Sequence, residues 1–470
     1  MAGSITGAAG QPALTPSASK ATLPSNYITD FNFLSQYLPD TYEREFERYG
    51  NRSINSFLRM VGAEMPTNSD LLKWEEQGRL HTKFQGVTLG TYTGAETTQT
   101  LTFTAAHNLR VGQTIFISDE TPGSVLSNKA IVTDAAPAGV LTEANVAYYE
   151  ATQAGFAAAS TMTVFVYGSE FRKGSNGMIG SLDADPVIKD NKPIIIKDKY
   201  VVSGSDMAQI GWVKVTTENG ADGYLWYIKS EHETRMRFDD YLEMSMIEGV
   251  PAAAGSGALA NLSPAPTTAA GTKGMFHEIE NNGNVWSGGN PTALADFDSI
   301  IQRLDKQGAI QENVLFVNRQ MGFDIDDMLA AQNSYGAGGT SYGLFDNDEE
   351  MALNLGFSGF KRGYEFYKSD WKYLNDATLR GGIVGGAVNG VLVPAGTTNV
   401  YDQIMGKNAQ RPFLHVRYRA SETEDRRYKT WITGSAGGAA TSDLDAMEVN
   451  FLSERSLCTL GANNFFIFKD

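Results

Sequence analysis

The spacing of apolar side chains changes along this chain, and each change marks a different kind of element. Between about 85 and 170 the spacing is two. TLTFT (100–104) sets Leu101 and Phe103 against threonines, TIFIS (114–118) sets Ile115 and Ile117 around Phe116, and TVFVYG (163–168) ends the stretch. The turn clusters DETPGS and DAAPAG punctuate these runs. Alternation broken by turns predicts short, half-buried strands, here a small barrel or sandwich of about 80 residues. Two more extended runs lie just outside it, PIIIKDKYVV before 203 and GWVKVTTE after 210. The β-domain is therefore predicted to ride inside a longer, hairpin-like excursion.

From about Tyr224 to Glu248 the spacing becomes helical. Phe238, Tyr241, Leu242, Ser245 and Met246 form one stripe. The other face carries i,i+4 pairs: Glu231 with Arg235, Glu233 with Arg237, and Arg235 with Asp239. Gly249 and Pro251 stop this helix, which at 1.5 Å per residue would be roughly 37 Å long. A small-residue linker follows over 251–271. ALADFDSIIQRLDKQGA (293–309) then predicts an amphipathic helix with Phe297, Ile300, Ile301 and Leu304 inward. NVLFVN (313–318) reads as a buried strand and MGFDIDDMLAAQ as a second helix. A Gly-rich loop (335–343) leads to an aromatic run, FSGFKRGYEFYKSDWKYLN. The last hundred residues return to β: Leu414, Val416 and Tyr418 alternate with His415, Arg417 and Arg419, and NNFFIF closes the chain.

The amino-terminal stretch fits neither rhythm. Residues 1–26 are rich in Ala, Gly, Ser, Thr and Pro, and cannot bury enough surface to offset their own ordering entropy. They predict either a disordered tail or an arm that orders on a partner. Residues 27–65 mix aromatic clusters with short helical stretches, Tyr42, Phe46 and Tyr49 recurring at helical spacing.

Composition narrows the function. With 470 residues the chain carries roughly three domains' worth of sequence. Its net charge of −16 disfavours a nucleic-acid-binding surface as its main business. Cys458 is the only cysteine, so no intrachain disulfide and no cysteine-based metal cluster can form. The first residues lack the basic start and apolar run of about 7–15 residues of a signal peptide. No stretch approaches the roughly 20 apolar residues of a membrane span.

Each chemical motif has a plainer reading. A zinc-protease helix needs histidines four apart, but His232-Glu233 is followed by Met236 and His277-Glu278 by Asn281. Gly339-Thr340-Ser341-Tyr342-Gly343 matches a nucleophile elbow, yet AAQNSYGAG before it is no core strand. Counting a calcium loop from Asp346 puts Met351 and Phe357 where Gly and Glu are required. The Gly255–Ala260 run sits in a linker after a helix, where a dinucleotide fingerprint has no strand to follow. Asp324, Asp326 and Asp327 read as a helix start or an exposed face. Arg426, Arg427 and Lys429, with Arg417 and Arg419, make the one concentrated basic patch; a salt-bridged interface between subunits suits so acidic a chain better than nucleic acid. Cys458 reads as a small core residue. No catalytic constellation, cofactor site or metal site survives.

An arm, a β-domain on an excursion, a long helix and Gly-rich loops describe a piece meant to touch copies of itself. The order of these elements resembles the major capsid protein of tailed bacteriophages, the Hong Kong ninety-seven-type capsid fold. LFVNRQMGFDIDDMLAA (315–331), LFDNDEEMALNLGFSGFKRGYEFYKSDWKYLN (344–375) and FLSERSLCTLGANNFFIF (451–468) look like capsid proteins of crAss-like and related podovirus-type phages. The resemblance implies an α+β fold with an arm at 1–65 and an extended loop at 66–222 bearing the β-insertion. A spine helix with peripheral domain at 223–290, an axial domain at 291–400 and completing strands at 401–470 would follow.

The same resemblance implies a non-enzymatic shell subunit, made in the host cytoplasm and located in the virion. Hexamers and pentamers would enclose double-stranded DNA without sequence-specific binding and without a membrane. Scaffolding, portal and decoration or head-fibre proteins would be its partners, the scaffold being separate because 1–65 is too short and too poor in heptads to serve. Expected contact residues are Phe31, Phe33, Tyr37 and Tyr42 of the arm, with Arg417, Arg419, Arg426 and Arg427. The rival classes are a phage-tail or cell-surface protein whose β-insertion binds carbohydrate, with Trp212, Tyr224 and Trp226 as stacking candidates that hydrophobic packing explains equally well, and a hydrolase using Ser341.

Overall fold

The computed structural model describes residues 64–90, 96–151, 156, 161–182, 186–209, 215–216, 222–223, 226–253, 256–258, 271–333, 358–402, 407–437 and 440–470. Phe31, Phe33, Tyr37, Tyr42, Trp212, Tyr224, the Gly-rich loop with Ser341, and the acidic run from Asp346 lie outside the described residues. So does the side chain of Trp226. The chain divides into two compact units. One, here the helix unit, gathers Ile195–Ser245 with Glu422–Glu454; the other, the barrel unit, gathers the described parts of Met60–Ile194, Met246–Ser421 and Arg455–Asp470.

The barrel unit begins with β1 (Glu64–Thr67) and β2 (Leu72–Glu76). Six strands follow: β3 (Lys83–Leu89), β4 (Thr98–Thr102), β5 (Gln113–Asp119), β6 (Ser127–Asp134), β7 (Glu143–Tyr148) and β8 (Thr161–Ser169). They close into a barrel in the order β3-β4-β7-β6-β5-β8. The period-two pattern is the cause: Val87, Leu101, Ile115, Ile117, Val132, Val146, Met162 and Val164 all point inward and are fully buried. Barrel width grows with strand number, so six strands leave a narrow interior, and Ala130 and Ala144 fit among the larger side chains. After the barrel, β9 (Val187–Asn191) returns to pair antiparallel with β2, from Leu72↔Asn191 to Glu76↔Val187. The barrel is thus carried on a two-stranded ribbon of β2 and β9. The extended runs read from the sequence do not form it, since PIIIKDKYVV lies beyond it in a separate strand and GWVKVTTE is described only at Val215–Thr216.

At the base of this ribbon Asn191, buried to 3% exposure, ties distant segments together. Its Nδ2 donates to the carbonyls of Lys273 (2.9 Å) and Leu457 (2.7 Å). Its Oδ1 accepts from Thr272 Oγ1 (3.0 Å) and from the amides of Lys273 and Lys192 (both 2.8 Å). Beside it the Lys273 ammonium lies 2.7 Å from Asp190 and holds that carboxyl below its ordinary range.

In chain order β10 (Ile194–Ser203) comes next, then the two-residue strands β11 (Val215–Thr216) and β12 (Asp222–Gly223), which pair antiparallel. The long helix runs Trp226–Glu248, within two residues of its predicted start. Its buried stripe is Thr234, Phe238, Leu242 and Met246, at four-residue steps. Tyr241, expected in that stripe, is 40% exposed, because at about 100° per residue it falls on the other side of Phe238 from Leu242, Met246 and Ile247, toward which the buried face turns. Glu231 pairs with Arg235 at 3.3 Å as predicted, and Glu233 lies 4.0 Å from Lys229.

A six-stranded mixed sheet forms the rest of the barrel unit's core. Its strands are β13 (Asn284–Trp286), β14 (Glu312–Val317), β15 (Gly359–Arg362), β16 (Tyr364–Asp370), β17 (Val388–Pro394) and β23 (Phe466–Lys469), in the order β13-β23-β17-β14-β16-β15. The predicted helices, observed at Leu294–Gln307 and Arg319–Asn333, cover one face. Phe297, Ile300, Leu304, Met321 and Ile325 pack there on Leu315, Val317, Phe366, Leu392, Phe466 and Phe468. On the opposite face Phe316 meets Trp371, ring centroids 6.0 Å apart, and Trp371 meets Phe276 at 6.2 Å. A sheet covered on both faces explains the unbroken apolar runs VLFV and FFIF. The hairpin β18 (Thr397–Asp402) and β19 (Lys407–Pro412) leads to β20 (Leu414–Arg419), β21 (Lys429–Gly434) and the long β22 (Ala446–Thr459).

In the helix unit β22 lies beside both β10 and β21. Phe238 and Leu242 of the long helix pack there on Val202, Met447, Val449 and Phe451. Gly434 ends β21 at φ +122°, and a Cβ built on it would fall 1.8 Å from the Ala446 carbonyl oxygen. Backbone cannot yield as a flexible side chain can. Gly434→Ala is therefore expected to destabilise by about 2 kcal/mol or more, beyond the usual cost of a glycine swap, and to lower Tm. An unchanged Tm would contradict this account of the β21–β22 junction. The α+β class expected from the sequence is the class observed.

Candidate functional site

Apolar surface that a chain's own elements leave uncovered marks a candidate contact site. In the helix unit such surface lies on β21. This strand pairs antiparallel with β22, from Lys429↔Leu452 to Gly434↔Met447, and has no second partner strand among the described residues. Successive residues of a strand point to opposite faces, so the adjacent Trp431 (37% exposed) and Ile432 (45%) put apolar area on both faces of this edge. Tyr428 just before it is also exposed. The Lys429 ammonium lies 5.9 Å from the Trp431 ring centroid and 2.8 Å from Glu424, whose carboxyl it holds below the usual range. An unpaired, apolar edge is a ready template for another chain.

The four arginines expected at contacts are divided between the units. Arg426 belongs to the helix unit, where its Nε lies 2.6 Å from the nearly buried Glu454 carboxylate. Arg427 is the most exposed of the four; its amide donates to Asp425 (2.8 Å) and its carbonyl accepts from Ser453 Oγ (2.6 Å). Arg417 and Arg419 belong to the barrel unit and face β1, which pairs parallel with β20 from Glu64↔Val416 to Thr67↔Arg419. Arg419 forms an ion pair with Asp70 and donates to the Asn68 carbonyl at 2.9 Å. Arg417 Nη1 lies 3.9 Å from the Met65 sulfur. Much of the positive charge that the sequence gathers into one stretch is thus met within the chain.

Sequence reasoning found the cations of RRYKTWITG and missed the edge. The signal available was Trp431 beside Ile432 in a strand with a polar remainder, a pattern that leaves one of the two outside.

The chemical motifs settle in ordinary places. Among the described residues no three His, Cys, Asp or Glu side chains are placed to share a metal ion. Asp326 forms an ion pair with Lys368, and Asp324 accepts from Asn290 (2.6 Å) and Gln320 (2.9 Å). Burial pushes the Cys458 thiol up to about 12, which keeps it protonated and unreactive at neutral pH. Glu248, at the end of the long helix, receives Arg380 at 2.6 and 2.7 Å and the Tyr373 hydroxyl at 2.6 Å. Arg380 in turn lies 5.3 Å from the Phe276 ring centroid. This cluster anchors the helix end; burial and the Glu248 carboxylate push the Tyr373 phenol up. Among the described residues no helix is long and apolar enough to cross a membrane.

No family model matches the chain, and no curated protein matches it. Solved structures do. A chain of Microbacterium phage Oxtober96 is similar over 94% of this chain and 99% of its own, at 10% identity and a TM-score of 0.40. A chain of Mycobacterium phage Ogopogo covers the same shares at 11% identity and a TM-score of 0.39. A chain from the capsid of a native GTA particle matches over 94% and 98%, at 9% identity and a TM-score of 0.37. Identities and scores of this size leave the fold to be defined by the strands and helices described above.

Proposed function

We propose that this chain is a structural, non-catalytic subunit of an icosahedral bacteriophage capsid of the Hong Kong ninety-seven type. Hexamers and pentamers of it would enclose double-stranded DNA, and its place would be the virion. The observation that carries the reading is the order of parts: a barrel borne on the β2–β9 ribbon, then a long helix, then a mixed sheet with two helices on one face. This is the order of extended loop, spine and capsomer domains that the sequence resemblance implies. In this reading the arm is 1–65, the extended loop 66–222, the spine and peripheral part 223–290, the axial part 291–400 and the closing strands 401–470.

The uncovered edge of β21 supports self-association, and an acidic wall suits an enclosure through which DNA slides during packing. Phe31, Phe33, Tyr37 and Tyr42 would grip a neighbour, with Arg417, Arg419, Arg426 and Arg427 at further contacts. Scaffolding, portal and decoration or head-fibre proteins would be its other partners. A crAss-like or related podovirus-type phage is the source the quoted strings favour.

Negative-stain microscopy of the expressed chain with its scaffold tests the reading. Capsomers or shells are the expected particles, and deletion of 1–30 should leave soluble monomer without shells. Solitary, monodisperse full-length chains at high concentration would overturn the proposal; normal shells from the deletion would overturn the role of the arm alone.

A further inference from the structure

The outward face of the barrel carries a built cleft. Strands β5 and β8 pair with a shift in register: Thr114 stands opposite Gly168 and Ile115 opposite Val166, so Tyr167 is an extra residue on β8. A bulge of this kind re-aims a side chain, and Tyr167 stands 49% exposed. Gly168 beside it leaves open the space above Thr114; a Cβ there would come within 3.1 Å of Thr114 Oγ1. The result is a cavity of about 490 Å³ lined by Thr114, Lys129, Tyr149, Tyr167, Ser169 and Glu170. That volume lies within the roughly 300–1,000 Å³ of small-molecule sites.

Its floor holds an unmet polar group. Thr114 is 4% exposed, and its buried hydroxyl has no hydrogen-bond partner. Buried hydroxyls are costly to leave unpaired, so this one needs an incoming donor or acceptor. At the rim the Tyr149 hydroxyl donates to Glu170 Oε2 at 2.5 Å and fixes that carboxylate in place. Burial and Glu170 both push the Tyr149 phenol up, so it stays a donor. The Lys129 ammonium lies 5.9 Å from the Tyr167 ring centroid, within reach of the same opening.

These groups define a ligand. One ammonium and one carboxylate cancel, so neither an anion nor a cation is favoured. Two half-exposed phenol rings offer flat faces to C–H groups, while a buried hydroxyl, a carboxylate and an ammonium wait for hydroxyl partners. A purely aromatic ligand would leave those polar groups unpaired. A molecule with one apolar face and a ring of hydroxyls satisfies all of them.

We propose that this cleft is a saccharide-binding subsite that takes one pyranose ring, stacked on Tyr167 and Tyr149 and hydrogen-bonded to Thr114, Glu170 and Lys129. The site lies wholly in the barrel and does not depend on the assembly reading.

Saturation-transfer difference NMR on the full chain tests it, with galactose, glucose and N-acetylglucosamine at about 10 mM, a range suited to weak single-ring binding. Transfer to the ring protons of at least one sugar is expected. Tyr167→Ala should weaken binding about tenfold by removing the stacking face. Thr114→Val keeps the side-chain shape and removes only the hydroxyl, so it should weaken binding at least about threefold while Tm stays equal or rises. Should Tyr167→Ala fail to fold, Lys129→Ala on the exposed rim replaces it with the same expected direction. No transfer from any of the three sugars overturns the proposal, and so does transfer that persists unchanged in every folded variant.

Discussion

Asn191→Leu is expected to cost the fold about 4 kcal/mol, seen as an early denaturant midpoint and a lowered Tm. The residue closes β9 at the base of the ribbon that carries the barrel, opposite Leu72. A side-chain amide has two donor hydrogens and two acceptor lone pairs, and Asn191 uses all of them. It holds the carbonyls of Lys273 and Leu457, the amides of Lys273 and Lys192, and the Thr272 hydroxyl. Leucine shares its branching and number of side-chain heavy atoms, though it is bulkier, and offers no polar atom. Two buried partners, the Leu457 carbonyl and the Thr272 hydroxyl, would then lose this bond at about 1–3 kcal/mol each, and three half-buried ones would lose theirs at a smaller cost. Local relaxation and entering water keep the sum below simple addition. Asn191→Asp separates the halves: the acceptor side survives while the donations to Lys273 and Leu457 are lost. Amide exchange at Lys273 should rise strongly in the leucine variant and little in the aspartate one. A loss under about 1 kcal/mol for the leucine variant would mean that the ribbon base is held by other contacts.

The two variants also show why parts of this fold were legible and others were not. Leu101, Ile115, Ile117 and Val164 announce the barrel because a strand's period is local, and local patterns survive in sequence. Phe297, Ile300 and Leu304 announce their helix in the same way. Asn191 gives no such signal. Its partners lie 81 to 266 residues away for all but the Lys192 amide, and an asparagine beside a lysine and a proline reads only as a turn. The strand β1, EMPT, was equally silent, since four residues containing a proline show no period, and it exists through parallel pairing with β20.

Charged partners are less legible than strand and helix periods. The arginines near 417–427 stand close in sequence, but Arg419 clasps Asp70 and Arg426 clasps Glu454, partners no spacing rule could nominate. The barrel cleft was hidden for a related reason: it arises from one extra residue in β8 and one missing side chain at Gly168. Neither interrupts the alternation that identifies the strand.

Acid should weaken the fold through His415. The alternation of β20 pairs it with the arginines rather than with Leu414 and Val416, yet it is only 4% exposed, opposite Cys458 on β22. Burial pushes its imidazole down from 6.5 to about 4; the bond from Nδ1–H to the Pro412 carbonyl opposes this, and the charge of Arg417 adds to it. The neutral ring is therefore the folded form. Between about pH 6.5 and pH 4 the unfolded chain takes up a proton that the folded chain refuses, so stability falls as pH falls. Above 6.5 neither state binds the proton, and the stabilisation is complete. The full drop across the window is about 3 kcal/mol. Carboxylates also titrate near its lower end, so the test is a difference: denaturant midpoints of the parent and of His415→Gln, taken from about pH 7 down to about pH 4.5. The parent curve should fall more steeply than the variant's, with the gap opening below about pH 6.5. Parallel curves would show that His415 is protonated in the folded chain. The strand would then have to hold a buried, charged imidazole against the positive charges of Arg417 and Arg411, both of which press it toward the neutral form.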